Sequence, residues 1–221
     1  MDELPDYMKL HFSALLTAVE NFEEELSKEG KSYRIPYLKK AFTEVAKAYL
    51  EEARWASAGY TPAVEEYMKN ALMSSSYPMH STICLVGMGD IVTNEALQWT
   101  LNIPDVIKAV GDLSRLKNDL VSNEREQGRV HVASGVQCYM TELGTTYDET
   151  CRIIQEKVAD YWKDVNKDCL EPIPVPREVM KRFLNLARMV EFMYTYKDMY
   201  TDSAKETKEC IRMLLVDPLD V

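Results

Sequence analysis

The chain has 221 residues, 46% of them hydrophobic, with 26 Lys plus Arg against 36 Asp plus Glu and a net charge of −10. That apolar share excludes disorder as a global state. The acidic balance excludes a nucleic-acid binder, which needs a basic footprint, and obliges any anionic ligand to meet a local cluster of cations or a bound metal.

From the N-terminus, Met8, Phe12, Leu15, Val19, Phe22 and Leu26 recur at helical spacing, and Gly30 ends that element. A second helix is predicted from about Pro36 to Ala58, closed by Gly59. Thr61-Pro62 predicts the next start, an N-cap oxygen followed by a proline whose missing N–H costs nothing in a first turn. That helix meets Ser74-Ser75-Ser76-Tyr77-Pro78, where the proline removes a backbone hydrogen bond and breaks or kinks it. An apolar segment resumes through Ile83, Leu85 and Val86, loosened by Gly87 and Gly89. Pro104 starts another helix. Thr146-x-x-Glu149 is a capping box and opens a helix striped by Cys151, Ile154, Val158, Tyr161 and Val165. Pro172, Pro174 and Pro176 make a stiff loop, and Pro176 begins a helix carrying Met180, Phe183, Ala187 and Val190. A final helix runs through Ile211, Leu214 and Leu215. No segment sustains period-two alternation, so no strand is predicted. The fold class is all-α, one helical bundle of roughly eight or more helices joined by short loops.

The cysteines Cys84, Cys138, Cys151, Cys169 and Cys210 form no C-x-x-C pair and are read as reduced cytoplasmic thiols. His11, His80 and His131 have no metal-ligand spacing. No run approaches the ~18 apolar residues of a membrane span. The start, Met1-Asp2-Glu3-Leu4-Pro5, is not a signal peptide and opens almost directly into a helix, as if a longer chain had been cut.

Chemistry gathers on the helix after Pro104. With roughly 100° of rotation per residue, Ser122 lies at about +40° from Asn118, Arg115 at about +60° and Glu126 at about +80°. Leu113, Leu116 and Leu120 fall on the opposite side. One stripe therefore carries a guanidinium, an amide oxygen, a hydroxyl and a carboxylate. Oxygen ligands one turn apart suit a hard cation such as Mg²⁺, which keeps waters or phosphates as its other ligands. A neighbouring arginine can grip a phosphate bidentately. Gly111 and Ser114 lie near the same face, and their small side chains are read as leaving room for a ligand. The bland alternative is the solvated side of an amphipathic helix.

The run Asn118-Asp119-Leu-Val-Ser122-x-x-x-Glu126 is similar to the second metal motif of class I terpene cyclases. Leu4-Pro-Asp-Tyr-Met8, Gly59-Tyr-Thr-Pro62, Glu65-Glu-Tyr-Met68, His131-Val-Ala-Ser134, Cys138-Tyr-Met140, Trp162-Lys-Asp164, Leu184-Asn-Leu-Ala-Arg188 and Leu214-Leu-Val-Asp217 resemble plant sesquiterpene synthases of the germacrene and cadinene type. The resemblance implies an incomplete class I terpenoid synthase fold, with residues 1–221 as a C-terminal portion of the metal-binding catalytic domain. The N-terminal helical domain and the first helices of the bundle, with the D-D-x-x-D motif, would precede Met1.

It also implies roles. Asn118, Ser122 and Glu126 would hold Mg²⁺, with Mn²⁺ as the alternative, and Arg115 would bind the diphosphate of a prenyl substrate, farnesyl diphosphate. Ser74 and Ser75 would lie at a break whose free carbonyls face a carbocation. Tyr77 would line the pocket with Tyr194 and Tyr200, and Asp198 sits where the family has an acidic residue beside those tyrosines. The alternative is an inactive helical relative that acts through partner binding. Faces stripped of their missing helices would be an exposed apolar patch open to self-association. Departures from the family pattern are Lys117 for an apolar residue, Gln127-Gly128-Arg129-Val130 after the motif, and Met199 for a glycine.

Overall fold

The computed structural model describes residues 4–128, 131–170 and 172–218. Among them are ten α-helices and no strand. In chain order these are α1 (Asp6–Lys28), a 3-10 turn (Ser32–Arg34), α2 (Ile35–Ala58), α3 (Val64–Ser74), α4 (Tyr77–Val86), α5 (Asn94–Leu101), α6 (Asp105–Gln127), α7 (Gly135–Leu143), α8 (Tyr147–Asp168), α9 (Arg177–Tyr194) and α10 (Glu206–Leu215).

The motif helix α6 is the axis of the bundle, packed by α8 and α9 and also by α3, α4 and α7. Its predicted apolar side is buried: Leu113 joins Val165, Ala187 and Val190, while Leu116 joins Val136, Tyr139 and Ile154. Met180, Phe183, Ala187 and Val190 of α9 are all core, as their period requires. Removing any of these large side chains would leave a cavity costing about 2–5 kcal/mol.

Helix ends follow local chemistry. Thr146 and Glu149 form the predicted box: Glu149 Oε2 accepts from Thr146 N at 3.0 Å and Thr146 Oγ1 accepts from Glu149 N at 3.4 Å. Gly59 closes α2 at φ +60°, a left-handed conformation that glycine adopts without a Cβ clash. Thr61-Pro62 is not the start of α3. The helix begins at Val64, whose N–H donates to Glu142 Oε2 of α7 at 2.6 Å, so a tertiary contact displaces the local cap. Two helices escaped the sequence reading. α5 has only eight residues, and α7 opens on Ser134-x-x-Gln137, where Gln137 Oε1 accepts from Ser134 N at 2.6 Å. That S-x-x-Q spacing was a legible start signal.

Two basic residues, Arg34 and Lys117, are unexpectedly shielded. Arg34 is 1% exposed and donates to the carbonyls of Val86, Met88, Gly89 and Val92, pinning the α4–α5 connection. Lys117 donates to Glu191 of α9, whose other oxygen accepts from Trp162 Nε1 of α8 at 2.6 Å. The departure at Lys117 thus ties three helices. Met199 packs inward, with its carbonyl accepting from Thr207 Oγ1 at 2.8 Å. Arg129 and Val130 lie outside the described residues.

Helix α1 packs lightly, chiefly on the 3-10 turn and α2, with Val19 also in the cluster of Val86 from α4. Of its six-residue stripe Val19 is buried, while Phe22, and Leu10 beside the stripe, stand exposed. Leu214 and Leu215 of α10 are likewise exposed.

Asp112, deep in α6, has its carboxyl pushed up to about 7 by burial, against the opposing pull of Lys108 and of Tyr161 on α8. A raised pKa means that the folded state holds the proton more tightly. Stability is then full below about pH 4 and falls as pH rises through 7. Asp112→Asn, which keeps an acceptor for Tyr161, is expected to raise the melting temperature at pH 8 by an amount worth roughly 2–4 kcal/mol and to change little at pH 4. Thermal melts across that range test it, and a pH-independent difference would refute the assignment.

Candidate active site

The polar stripe of α6 faces a cavity of about 580 Å³. Arg115, Asn118 and Glu126 line it from α6, Ser74 to Tyr77 from the α3–α4 break, and Tyr194, Asp198 and Tyr200 from the end of α9 and the loop beyond. The structure thus gathers nine of the ten predicted site residues on one cavity. Ser122 lies between Asn118 and Glu126, one turn from each, 2% exposed, with a hydroxyl that has no hydrogen-bond partner among the described residues. A buried orphan hydroxyl costs free energy unless something else satisfies it. Among the described residues no three His, Cys, Asp or Glu side chains could hold a metal. A cation here would depend on the amide and hydroxyl oxygens of Asn118 and Ser122 together with the Glu126 carboxylate, an all-oxygen donor set of the kind hard cations take. Glu126 Oε2 also lies 3.9 Å from His131 Nδ1.

Arg115 is held from two sides. Its Nη2 donates to Ser74 Oγ at 3.0 Å, and that hydroxyl in turn donates to Glu52 of α2. Nη1 lies 3.9 Å from Asp119 Oδ1. Burial works to lower the guanidinium's pKa, but Tyr67, Asp119 and Glu52 outweigh it and leave the group above its ordinary value. Its Nε is buried with no hydrogen-bond partner among the described residues. The side chain is therefore pre-oriented and permanently charged. Ser74, given a substrate contact on sequence grounds, already spends its hydroxyl on Arg115 and Glu52.

Asp119, beside Asn118 in the motif, points away from the cavity. Its Oδ2 accepts from Tyr67 OH of α3 at 2.6 Å and from Gly135 N of α7 at 2.9 Å. Burial pushes its carboxyl up to about 6, against Arg115 and these two donors. Gly111 does not leave room for a ligand. A Cβ there would sit 2.5 Å from Leu72 Cδ1, so the missing side chain serves close packing of α6 on α3. Ser114 does line the cavity, beside Tyr77.

The break between α3 and α4 is a single residue in the left-handed region, Ser76 at φ +65°, which costs a non-glycine residue about 1–2 kcal/mol. Ser75 Oγ accepts from Tyr77 N at 3.3 Å, and Ser76 Oγ pairs with Tyr49 OH at 3.3 Å. Not all carbonyls at the break are free: Ser76 O accepts from His80 N at 2.8 Å because α4 starts at once and claims it. Tyr77 meets the His80 ring edge-to-face, with centroids 5.7 Å apart. Burial raises the pKa of both Tyr77 and Tyr194, so both phenols stay protonated and neutral.

At the far wall, Asp198 is 8% exposed and organises its own loop. Oδ1 accepts from Tyr200 N at 3.1 Å and Thr201 N at 2.9 Å, while Oδ2 accepts from Thr201 Oγ1 and from Arg125 Nη2 of α6, the latter at 3.2 Å. Tyr200 stands on the rim, 73% exposed. The sequence reading missed Tyr49, Glu52, His80 and Arg125, all on the cavity wall. Arg125 alone had a signal, since it lies at about −20° from Asn118 on the same stripe.

A cavity walled by a stripe of oxygen donors, an anchored arginine, a helix break and aromatic rings sits here in an all-α bundle of the class I terpenoid synthase fold. Residues 1–164 match the terpene synthase family, metal binding domain, and the chain belongs to that family. It is 63% identical over 217 residues to a sesquiterpene synthase of Cananga odorata, and 51% identical over 219 residues to a beta-cubebene synthase of Magnolia grandiflora. These alignments take in 98% and 99% of the chain but 39% and 40% of the relatives, so the chain spans about two-fifths of their length. Among solved structures it resembles limonene synthase with 2-fluorolinalyl diphosphate, with a TM-score of 0.91 and 28% identity over 99% of this chain and 40% of that one. It also resembles isoprene synthase of grey poplar, Populus x canescens, in complex with three Mg²⁺ ions and dimethylallyl-S-thiolodiphosphate. There the TM-score is 0.88 at 28% identity, over 99% and 42% of the two chains. No described helix is long and apolar enough to cross a membrane.

Proposed function

We propose that the chain carries the diphosphate-side half of a sesquiterpene synthase site, acting on farnesyl diphosphate with Mg²⁺. The observation that carries this reading is the orphan hydroxyl of Ser122, buried in the stripe between Asn118 and Glu126. Those three residues would hold Mg²⁺ or Mn²⁺, which when bound supplies the positive charge that stabilises the departing diphosphate. Arg115 would donate to a diphosphate oxygen from an orientation already fixed by Ser74, Glu52 and Asp119. Tyr77 and Tyr194 line the cavity, and an allylic cation would rest against such rings. Their phenols, protonated, leave that cation its charge. Asp198 shapes the far wall, and the five unpaired cysteines fit a reducing compartment, the cytoplasm.

Calorimetric titration with inorganic pyrophosphate, with and without Mg²⁺, tests the reading. Binding is expected only with Mg²⁺, and Glu126→Ala is expected to weaken it by at least about tenfold. Equal affinity without the metal, or in the variant, would overturn it. An inactive partner-binding relative has the exposed side of α1 in its favour. It requires no metal-dependent pyrophosphate binding, so the same titration separates the two.

A further inference from the structure

Arg125 plays no part in the stripe as the family motif defines it, yet it is the residue of α6 that reaches the loop after α9. Its Nη2 meets Asp198 Oδ2 at 3.2 Å across 73 residues of sequence. Asp198 is the hub of that loop, because its other contacts hold the amides of Tyr200 and Thr201 and the Thr201 hydroxyl. The carboxylate is 9% exposed at the side chain and the arginine 46%, so the pair is partly shielded from solvent. Among the described residues, the other hydrogen-bond partners of Asp198 are neutral donors of Tyr200 and Thr201. Arg125 is also the immediate chain neighbour of Glu126, so a shift of the helix end at Glu126 moves the Arg125 backbone with it.

We infer that Arg125 is a positioning residue that latches the Asp198–Thr201 loop to the metal-binding helix and transmits occupancy of that helix to the loop. The latch itself is independent of what the helix binds; the transmission rests on the reading above. In the free protein the pair fixes the segment that places Tyr200 on the cavity rim. When a metal and a diphosphate settle on Asn118, Ser122 and Glu126, the end of α6 is restrained, and the loop tied to it is restrained as well.

Residue-resolved amide hydrogen exchange on the full chain tests this in two arms. Without ligand, Arg125→Ala is expected to speed exchange at Tyr200 and Thr201 by about two- to tenfold, to leave the α6–α8 core amides unchanged, and to be partly rescued by Arg125→Lys. Asp198→Asn is expected to behave as Arg125→Ala does. Unchanged exchange at those two amides in Arg125→Ala overturns the latch. In the second arm, Mg²⁺ with inorganic pyrophosphate is expected to slow exchange at Tyr200 and Thr201 in the wild type and in Arg125→Lys but not in Arg125→Ala. Binding that leaves the wild-type loop unaffected overturns the transmission. Absence of binding to the wild type overturns the proposed function instead, and the first arm still decides the latch.

Discussion

Asp119→Ala is expected to cost about 3–5 kcal/mol, most of the margin that keeps a domain of this size folded. The carboxylate is buried in α6 and has three neighbours on three different parts of the chain: Tyr67 of α3, Gly135 at the first turn of α7, and Arg115 one helical turn away. Alanine leaves a phenol and a backbone N–H in a dry interior with no acceptor, each costing about 1–3 kcal/mol. It also removes the nearest counter-charge on the α6 side of Arg115. Asp119→Asn separates the effects. One amide oxygen can still accept from both Tyr67 and Gly135, but the amide nitrogen then faces the guanidinium. That variant is expected to keep most of its stability and to lose pyrophosphate affinity, because Arg115 is no longer steered. Gly135→Ala approaches the same point from the other side: its Cβ would meet Asp119 Oδ2 at 2.6 Å and Tyr67 Cε1 at 3.1 Å. Chemical denaturation of the three variants is the measurement. If Asp119→Ala unfolds with wild-type stability, the anchoring role is wrong.

The same residue marks the limit of what could be read from sequence. Asp119 was visible as part of a motif, but its direction was not, because turning it toward Tyr67 and Gly135 takes α3 and α7 in place. The Arg115, Asn118, Ser122 and Glu126 stripe was legible because all four sit on one helix, where spacing alone fixes which residues share a face. So were the capping box at Thr146 and the glycine closing α2, which are decided within a few residues. Glu52 was not legible: its contact to Ser74 spans 22 residues and joins two helices. Nor was the Arg125–Asp198 pair. Thr61-Pro62 misled because a local cap lost to the Glu142 side chain arriving from α7. The error at Gly111 has the same root, since a small residue leaves space only if no neighbour fills it, and Leu72 does.

Ser122→Ala is expected to move stability and binding in opposite directions. Among the described residues the buried Ser122 hydroxyl has no partner, a condition that costs about 1–3 kcal/mol, and alanine is also the better helix former by up to about 0.7 kcal/mol. The variant should therefore melt higher, by about 2–4 °C for each kcal/mol recovered in a chain of this length. The same substitution removes one of the three oxygens offered to a cation, so Mg²⁺-dependent affinity for pyrophosphate should fall by about tenfold or more. Ser122→Thr, which keeps the oxygen, should retain binding without the thermal gain if the added methyl fits. The opposition of sign separates a functional hydroxyl from a structural one. A hydroxyl kept for packing or for an internal hydrogen bond would give a lower melting temperature in alanine and no effect on the ligand. A hydroxyl kept for a ligand carries its cost in the free protein and returns it on binding. Paired melting curves and titrations on the two variants decide the matter. A destabilised Ser122→Ala with unchanged affinity would remove Ser122 from the site and leave Asn118 and Glu126 as the protein oxygens of a cation otherwise held by water and phosphate.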